Sequence, residues 1–293
     1  MKLSESILGT QHRRWMIRAV TYTALLFFAV ITLVPLVWLL VGAFKTNEDF
    51  FGHLFFPAGD GLFGVDWSRM SFDNFHRLLV ELNFFNFILN SFFIASVTAV
   101  LGTLFASLGG YALAKFRFRG RPFILGVVLM AIILPGPLLL APVYQLLYQL
   151  GMLNTYWGLI LPGMAPAFGI FLFRQAMLNS VPGELLESAR IDGCGELRIF
   201  FSIVLPIIRP MVGAFLLISF LGAWNNFIMP QVILQDENKF PLAVAIAQLR
   251  GTYNTDYALI SAGTIVSILP VMLLFLMLQR EFISGLTSGA VKG

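Results

Sequence analysis

Five stretches of the chain contain no Asp, Glu, Lys or Arg: residues 19–44, 82–114, 122–173, 210–235 and 257–279, together 160 of 293 residues. A helix crosses the hydrocarbon core of a bilayer with about 20 apolar residues at about 1.5 Å each. Four stretches therefore supply one span apiece, and the 52-residue stretch supplies two. The predicted fold class is all-α: a polytopic membrane protein with six transmembrane helices. The composition agrees, since 58% hydrophobic and 12% charged residues are a ratio that no ordinary soluble domain of this size keeps in water. Within the long stretch, Gly151-Met152-Leu153-Asn154-Thr155 is the predicted break, with the glycine ending one helix and the asparagine starting the next.

Six spans place both termini on one side of the membrane. The connecting segments on that side hold 14 Lys and Arg, against five on the other, while acids run the opposite way, six against nine. An excess of Lys and Arg marks cytoplasmic loops, so both termini are predicted to be cytoplasmic. The net charge of +4 is then a consequence of topology, and no nucleic-acid partner is needed to explain it. The predicted segments are a cytoplasmic N-terminus at 1–18, a first span at 19–44, an extracytoplasmic loop at 45–81, a core of five spans at 82–280 and a cytoplasmic tail at 281–293. The first apolar stretch exceeds the roughly 7 to 15 residues of a signal-peptide core and reads as an uncleaved span. The cluster Lys115-Phe116-Arg117-Phe118-Arg119-Gly120-Arg121 is consistent with plain topology or with anionic lipid, and both place it at the inner leaflet.

No charge lies inside any apolar run, whereas ion-coupled carriers usually keep an Asp, Glu or His at mid-membrane. The chain has no phosphate-binding Gly-x4-Gly-Lys-Ser/Thr loop and no His-Glu-x2-His, its histidines are 12, 53 and 76, and its single Cys194 has no metal-binding spacing. No catalytic residue, metal or cofactor is expected in this chain, so any transport draws energy from another subunit. Gly102, Ala106 and Gly110 recur every four residues and should form a close helix-packing face. Prolines 135, 137, 142, 162, 166, 230 and 270 lie inside or at the ends of runs, where they can kink spans. Residues 240–249 amount to half a span and read as an interfacial or re-entrant element. The loop at 45–81 is either a partner-contact surface or a cap over helix ends.

Between the predicted fourth and fifth spans lies a loop from Arg174 to Arg209. Pro182 is placed to open a short helix in it and Gly193 to close it. Leu185, Leu186 and Ala189 share an apolar face, with Glu184, Glu187 and Arg190 pointing away. The pattern Glu187-Ser188-Ala189, three residues, Gly193, nine residues, Ile203-x-Leu205-Pro206 resembles the EAA loop of ATP-binding cassette importer membrane subunits. Ser188 and Cys194 stand where alanines are usual, and both are small. The rest of the chain after Asn90 is similar to the second, MalG-like membrane subunit of maltose-type carbohydrate importers. The segments that carry this similarity are Asn90-Ser91, 111–120, 153–162, 223–227 and 279–293.

The resemblance implies the type I importer transmembrane fold (MetI-like) and a place in the bacterial inner membrane. It implies a coupling loop at 181–206 in which Glu184, Glu187, Ser188, Ala189, Asp192, Gly193, Ile203, Leu205 and Pro206 engage an ATPase subunit. Glu187 would meet a basic group there, and Gly193 would permit the tight turn. The tail residues Gly289, Ala290, Val291, Lys292 and Gly293 would reach the same neighbour. The implied partners are a homologous permease subunit, two ATP-binding cassette subunits that bind ATP and Mg, an extracytoplasmic solute-binding protein and membrane lipid. The implied cargo is a sugar or oligosaccharide, neutral or acidic, such as a uronate chain like alginate. Glycerol phosphate or another small polar solute is the alternative, and an ion-coupled secondary carrier the more distant one. Tyr144, Gln145, Tyr148, Gln149, Trp224, Asn225 and Asn226 can offer hydrogen bonds and a ring face to a sugar, or can join helices to one another.

Overall fold

The computed structural model describes residues 2–251 and 255–290. The chain forms two compact units, one of Met1–Glu81 with Arg250–Ile265 and one of Leu82–Leu249 with Val266–Gly293.

The first unit opens with α1 (Lys2–Gly42), which continues the predicted first span back through the N-terminal segment. Its apolar side chains are exposed along most of the helix, as lipid-facing residues are. The loop after it is folded. It contains α2 (Asn47–Gly52), an isolated antiparallel bridge between Ala58 and Val65, and α3 (Asp73–His76). Three buried polar residues organise it: Asn74 donates to the carbonyls of Ala43 and Lys45 at 2.9 and 2.8 Å, Lys45 to that of His53 at 2.8 Å, and Asp49 pairs with Arg69. Asp256 pairs with Arg77 at 3.1 Å, and Asn47 accepts from the amide of Tyr257 at 2.9 Å. Buried polar groups are costly unless partnered, and these are partnered. The loop is a cap over the end of α1 and the start of the last helix.

The second unit is built around α4 (Phe84–Lys115). It continues with α5 (Arg121–Ile133), α6 (Leu140–Gln149), α7 (Tyr156–Gly163), α8 (Ala167–Ser180), α9 (Gly183–Ile191), α10 (Glu196–Ile199), α11 (Leu205–Ile207), α12 (Arg209–Trp224), α13 (Ile228–Ile233), α14 (Leu242–Gln248) and most of α15 (Tyr257–Ala290). Among the described residues, four helical stretches are each long and apolar enough to cross a membrane: Arg14–Gly42, Phe84–Lys115, Tyr156–Ser180 and Tyr257–Met277. Two further pairs are bent, Arg121–Ile133 with Gly136–Gln149 by 105° and Glu196–Ile207 with Arg209–Trp224 by 85°. Counting each pair as one crossing gives six. The first bend falls at Leu134, which is extended directly before Pro135. The second falls at Ile208, the N-cap of α12, with Pro210 in the first turn of that helix, where its missing amide donor is tolerated.

The small-residue face of α4 packs as expected, against the end of α7 and against α8. A β-carbon added at Gly110 would stand 2.7 Å from the Cβ of Phe173 and 2.8 Å from the amide nitrogen of Arg174. One at Gly102 would stand 3.0 Å from the carbonyl oxygen of Gly163. α14 also lies against α4, with buried Leu242 donating its amide to Ser91 Oγ at 2.6 Å.

The predicted break at 151–155 is a turn, with one correction. Gly151 takes φ +67° and ends α6, but Thr155 is the cap of α7, accepting from the amide of Gly158 at 3.2 Å. Asn154 has left-handed backbone and instead accepts from the amides of Gln235 and Asp236 at 3.1 and 3.0 Å. It joins two loops rather than starting a helix.

Candidate functional site

The loop between α8 and α12 forms the structured helix that its sequence suggests. Pro182 stands at the N-cap of α9, whose inner line is Leu186 and Ala189, both buried. Glu184, Glu187 and Ser188 are exposed. Leu185 departs from expectation: it is 41% exposed, because the core takes the 186/189 line and turns the neighbouring position outward. Ile191 and Leu197 are exposed as well, at 86% and 68%, so charged and apolar groups mix on the outer surface of the loop.

The end of α9 is a Schellman closure. Gly193 has φ +79°, its amide reaches the carbonyl of Arg190 at 3.0 Å, and the amide of Cys194 reaches that of Ala189 at 3.0 Å. Asp192 is the C-cap, its amide bonded to the carbonyl of Ser188 at 3.0 Å. The chain then re-enters helix at α10, passes through a π-turn at Phe200–Val204 and continues into α11. Ile203 and Leu205 are half-buried against the core, and Pro206 is exposed.

Leu186, Ala189, Ile199, Phe200 and Val204 of this loop belong to one apolar core with Ala106, Tyr111 and Ala114 of α4, Phe173 and Met177 of α8, and Phe215 of α12. Polar contacts add to it. The Tyr111 hydroxyl donates to Glu196 at 2.9 Å, Arg190 donates to the same carboxylate at 2.6 and 3.3 Å, and the Arg190 guanidinium lies 6.0 Å from the centre of the Phe116 ring. The carboxylate holds the Arg190 guanidinium above its already high pKa. Lys115 donates to the carbonyl of Val181 at 2.6 Å, just before α9. The outer face of α9 is thus free, while its inner face is fixed to three long helices.

The membrane-interior candidates do not come together. A cavity of about 330 Å³ is lined by Thr98, Pro162, Gly163, Ser219, Gly222 and Asn226, among others. Of the candidates for the sugar path, Asn226 alone lines it. Trp224 is buried and donates to Ser267 at 3.3 Å, which makes it a helix-joining residue. Asn225 is exposed at the end of α12, Tyr144 is half-buried on α6, and Gln145, Tyr148 and Gln149 are exposed there. Thr98 and Ser219 went unremarked in sequence, where a lone hydroxyl in an apolar run carries no signal. The Thr98 hydroxyl is buried without a hydrogen bond among the described residues. The tail residues Gly289 and Ala290 close α15, and Val291, Lys292 and Gly293 lie outside the described residues.

A bundle of apolar helices with an exposed, internally braced helix on one connecting loop defines a polytopic membrane-transport subunit. Residues 101–282 match the family described as binding-protein-dependent transport system inner membrane component, and the chain belongs to that family. It is 37% identical over 269 residues to the arabinooligosaccharides transport system permease protein AraQ of Halalkalibacterium halodurans, covering 91% of this chain and 94% of that one. It is 32% identical over 283 residues to the lactose transport system permease protein LacG of Rhizobium radiobacter, covering 97% and 99%. The fold is shared with a chain of a bacterial ABC transporter involved in the import of the acidic polysaccharide alginate. That match has a TM-score of 0.78 and 22% identity, and covers 91% of this chain and 96% of that one.

Proposed function

We propose that the chain is one of two homologous membrane subunits of an ATP-driven importer that passes a neutral oligosaccharide, delivered by an extracytoplasmic binding protein, into the cell. The observation that carries this reading is α9, whose outer face is open and whose inner face belongs to the core of α4, α8 and α12. In this reading a partner ATPase, which binds ATP and Mg, grips Glu184, Glu187, Ser188 and Asp192. Gly193 sets the turn, Ala189 seats the helix on the core, and Ile203, Leu205 and Pro206 carry the displacement into α12. The tail, Gly289 to Gly293, approaches the same ATPase. Both termini then face the cytoplasm, in keeping with the Lys and Arg asymmetry.

The cargo class is supported by relatives whose names specify arabinooligosaccharides and lactose, and by a mainly apolar cavity that offers the hydroxyls of Thr98 and Ser219 and the amide of Asn226 and no charged side chain. Hydroxyl-rich ligands suit such groups, whereas a phosphate or uronate calls for cations. The test is reconstitution of the complete transporter in liposomes with its binding protein. ATP hydrolysis stimulated by neutral oligosaccharides and not by glycerol phosphate or oligouronate supports the cargo assignment. Uptake driven by an ion gradient without ATPase subunits overturns the whole reading.

A second expectation concerns the brace. Glu196→Ala releases Arg190 and Tyr111 at once, and because the ion pair is about a third exposed the loss is on the order of 1 kcal/mol. Uptake should fall about two- to fivefold at unchanged abundance in membranes. The exchange Arg190→Glu with Glu196→Arg should recover most of it. A swap no better than either single change would remove the brace from the coupling path.

A further inference from the structure

Along one flank of α9 lies a groove of about 500 Å³, lined by Ala114, Lys115, Arg117, Arg121, Gly183, Leu186, Glu187 and Arg190. Four cations face one acid. Arg190 is already engaged by Glu196, and Lys115 spends one of its three protons on Val181. The guanidinium groups of Arg117 and Arg121 make no hydrogen bond or ion pair among the described residues, and neither does that of nearby Arg119. The groove therefore holds uncompensated positive charge. It sits where α4 ends at Lys115 and α5 begins at Arg121, a five-residue turn between two apolar helices closed by Gly120 at φ +93°.

The helix that leaves this turn supplies the second half of the argument. Of α5, Val128 alone is buried, and Leu125, Leu129 and Ile132, which follow Arg121 at spacings of four, four and three residues, carry apolar surface along the same side of the helix, with Leu129 and Ile132 exposed. Cations at the end of an apolar stripe match a molecule with an anionic head and long hydrocarbon tails.

We propose that this groove holds the phosphate headgroup of an anionic phospholipid, with its acyl chains along the exposed face of α5. Charge complementarity selects the head, and the adjoining stripe selects a lipid over a free anion. Because Gly183, Leu186 and Glu187 form one wall, the bound lipid would help to set the height of α9 above the membrane. The site stands whichever solute is carried, since it depends on the membrane location of the family and not on the cargo.

The test uses the complete transporter, purified and reconstituted in nanodiscs of phosphatidylcholine with or without phosphatidylglycerol, with retained lipid counted by native mass spectrometry. Wild type should retain phosphatidylglycerol selectively. A basic residue near an anionic surface is worth about 1 kcal/mol, or about fivefold, so Arg117→Gln with Arg121→Gln should weaken retention by about 25-fold. Arg14→Gln with Arg18→Gln, at the start of the first span and outside the groove, should stay within about twofold of wild type. Equal loss in both double variants would reduce the effect to general charge, and equal retention in both would leave the groove empty; either overturns the proposal. Displacement of the lipid by inorganic phosphate would reassign the groove to a free anion and overturn it too.

Discussion

Gly193→Leu is expected to lower ATP-driven uptake by about thirtyfold while leaving the protein inserted and abundant. Gly193 closes α9 with φ +79°, a conformation that costs a side-chain-bearing residue roughly 1–2 kcal/mol, and two amides of the Schellman closure depend on it. A loss of about 2 kcal/mol in the docked geometry of the loop corresponds to about thirtyfold. The strain is confined to the backbone at 193 itself, because a β-carbon there would meet no other part of the protein within 4 Å. Gly195, two residues on, supplies the control: it also stands in open space, but its φ of −71° suits any residue, so Gly195→Leu should behave as wild type. Glu187→Ala should reproduce the transport defect by another route. Glu187 is exposed and has no hydrogen bond or ion pair among the described residues, so removing it costs the fold within about 0.5 kcal/mol. Any large loss must then come from a partner. Uptake and ATP hydrolysis measured side by side in proteoliposomes decide the matter, and normal uptake by both variants would end the coupling assignment.

Gly110→Leu is expected to fail at an earlier stage, with the protein largely lost from the membrane. The added side chain would meet the Cβ of Phe173 and the backbone amide of Arg174, and backbone cannot rotate aside as a flexible side chain can. Overpacking of this kind costs about 1–3 kcal/mol or more, a large fraction of the roughly 5–15 kcal/mol that keeps an ordinary protein folded. Gly126→Leu, where a β-carbon meets nothing within 4 Å, should accumulate normally. The measurement is the amount of monodisperse protein recovered in detergent. Similar yields from the two variants would show that the close approach of α4 and α8 is not required.

The helical bundle was legible because its cause is local: a run without charges is long enough to cross a bilayer or it is not. The close face at Gly102, Ala106 and Gly110 was legible for the same reason, since small residues four apart define a surface before any partner is known. The ends of α9 were readable too, because Pro182 and Gly193 act on their own backbone. What escaped depends on distant residues. Tyr111 and Glu196 are 85 residues apart, and nothing in either segment announces the other. Prolines mark where a helix can break, but the angles of 105° and 85° are set by packing. The choice between the 185 and 186 lines of α9 belongs to the core beneath it. Trp224 resembles a sugar platform in sequence, and only its burial against Ser267 shows that it joins helices instead.

The single core that unites α9, α10 and the π-turn with α4, α8 and α12 has a mechanical corollary. Interiors packed this closely are stiff and transmit strain instead of absorbing it. If a partner pushes at Glu187 as proposed, there is no cushion to compress on the way to Phe215, and the crank and its shafts are expected to tilt as one piece. The bend at Leu134–Pro137, where α5 gives way to α6, lies outside that core and so stands apart from the stiff block.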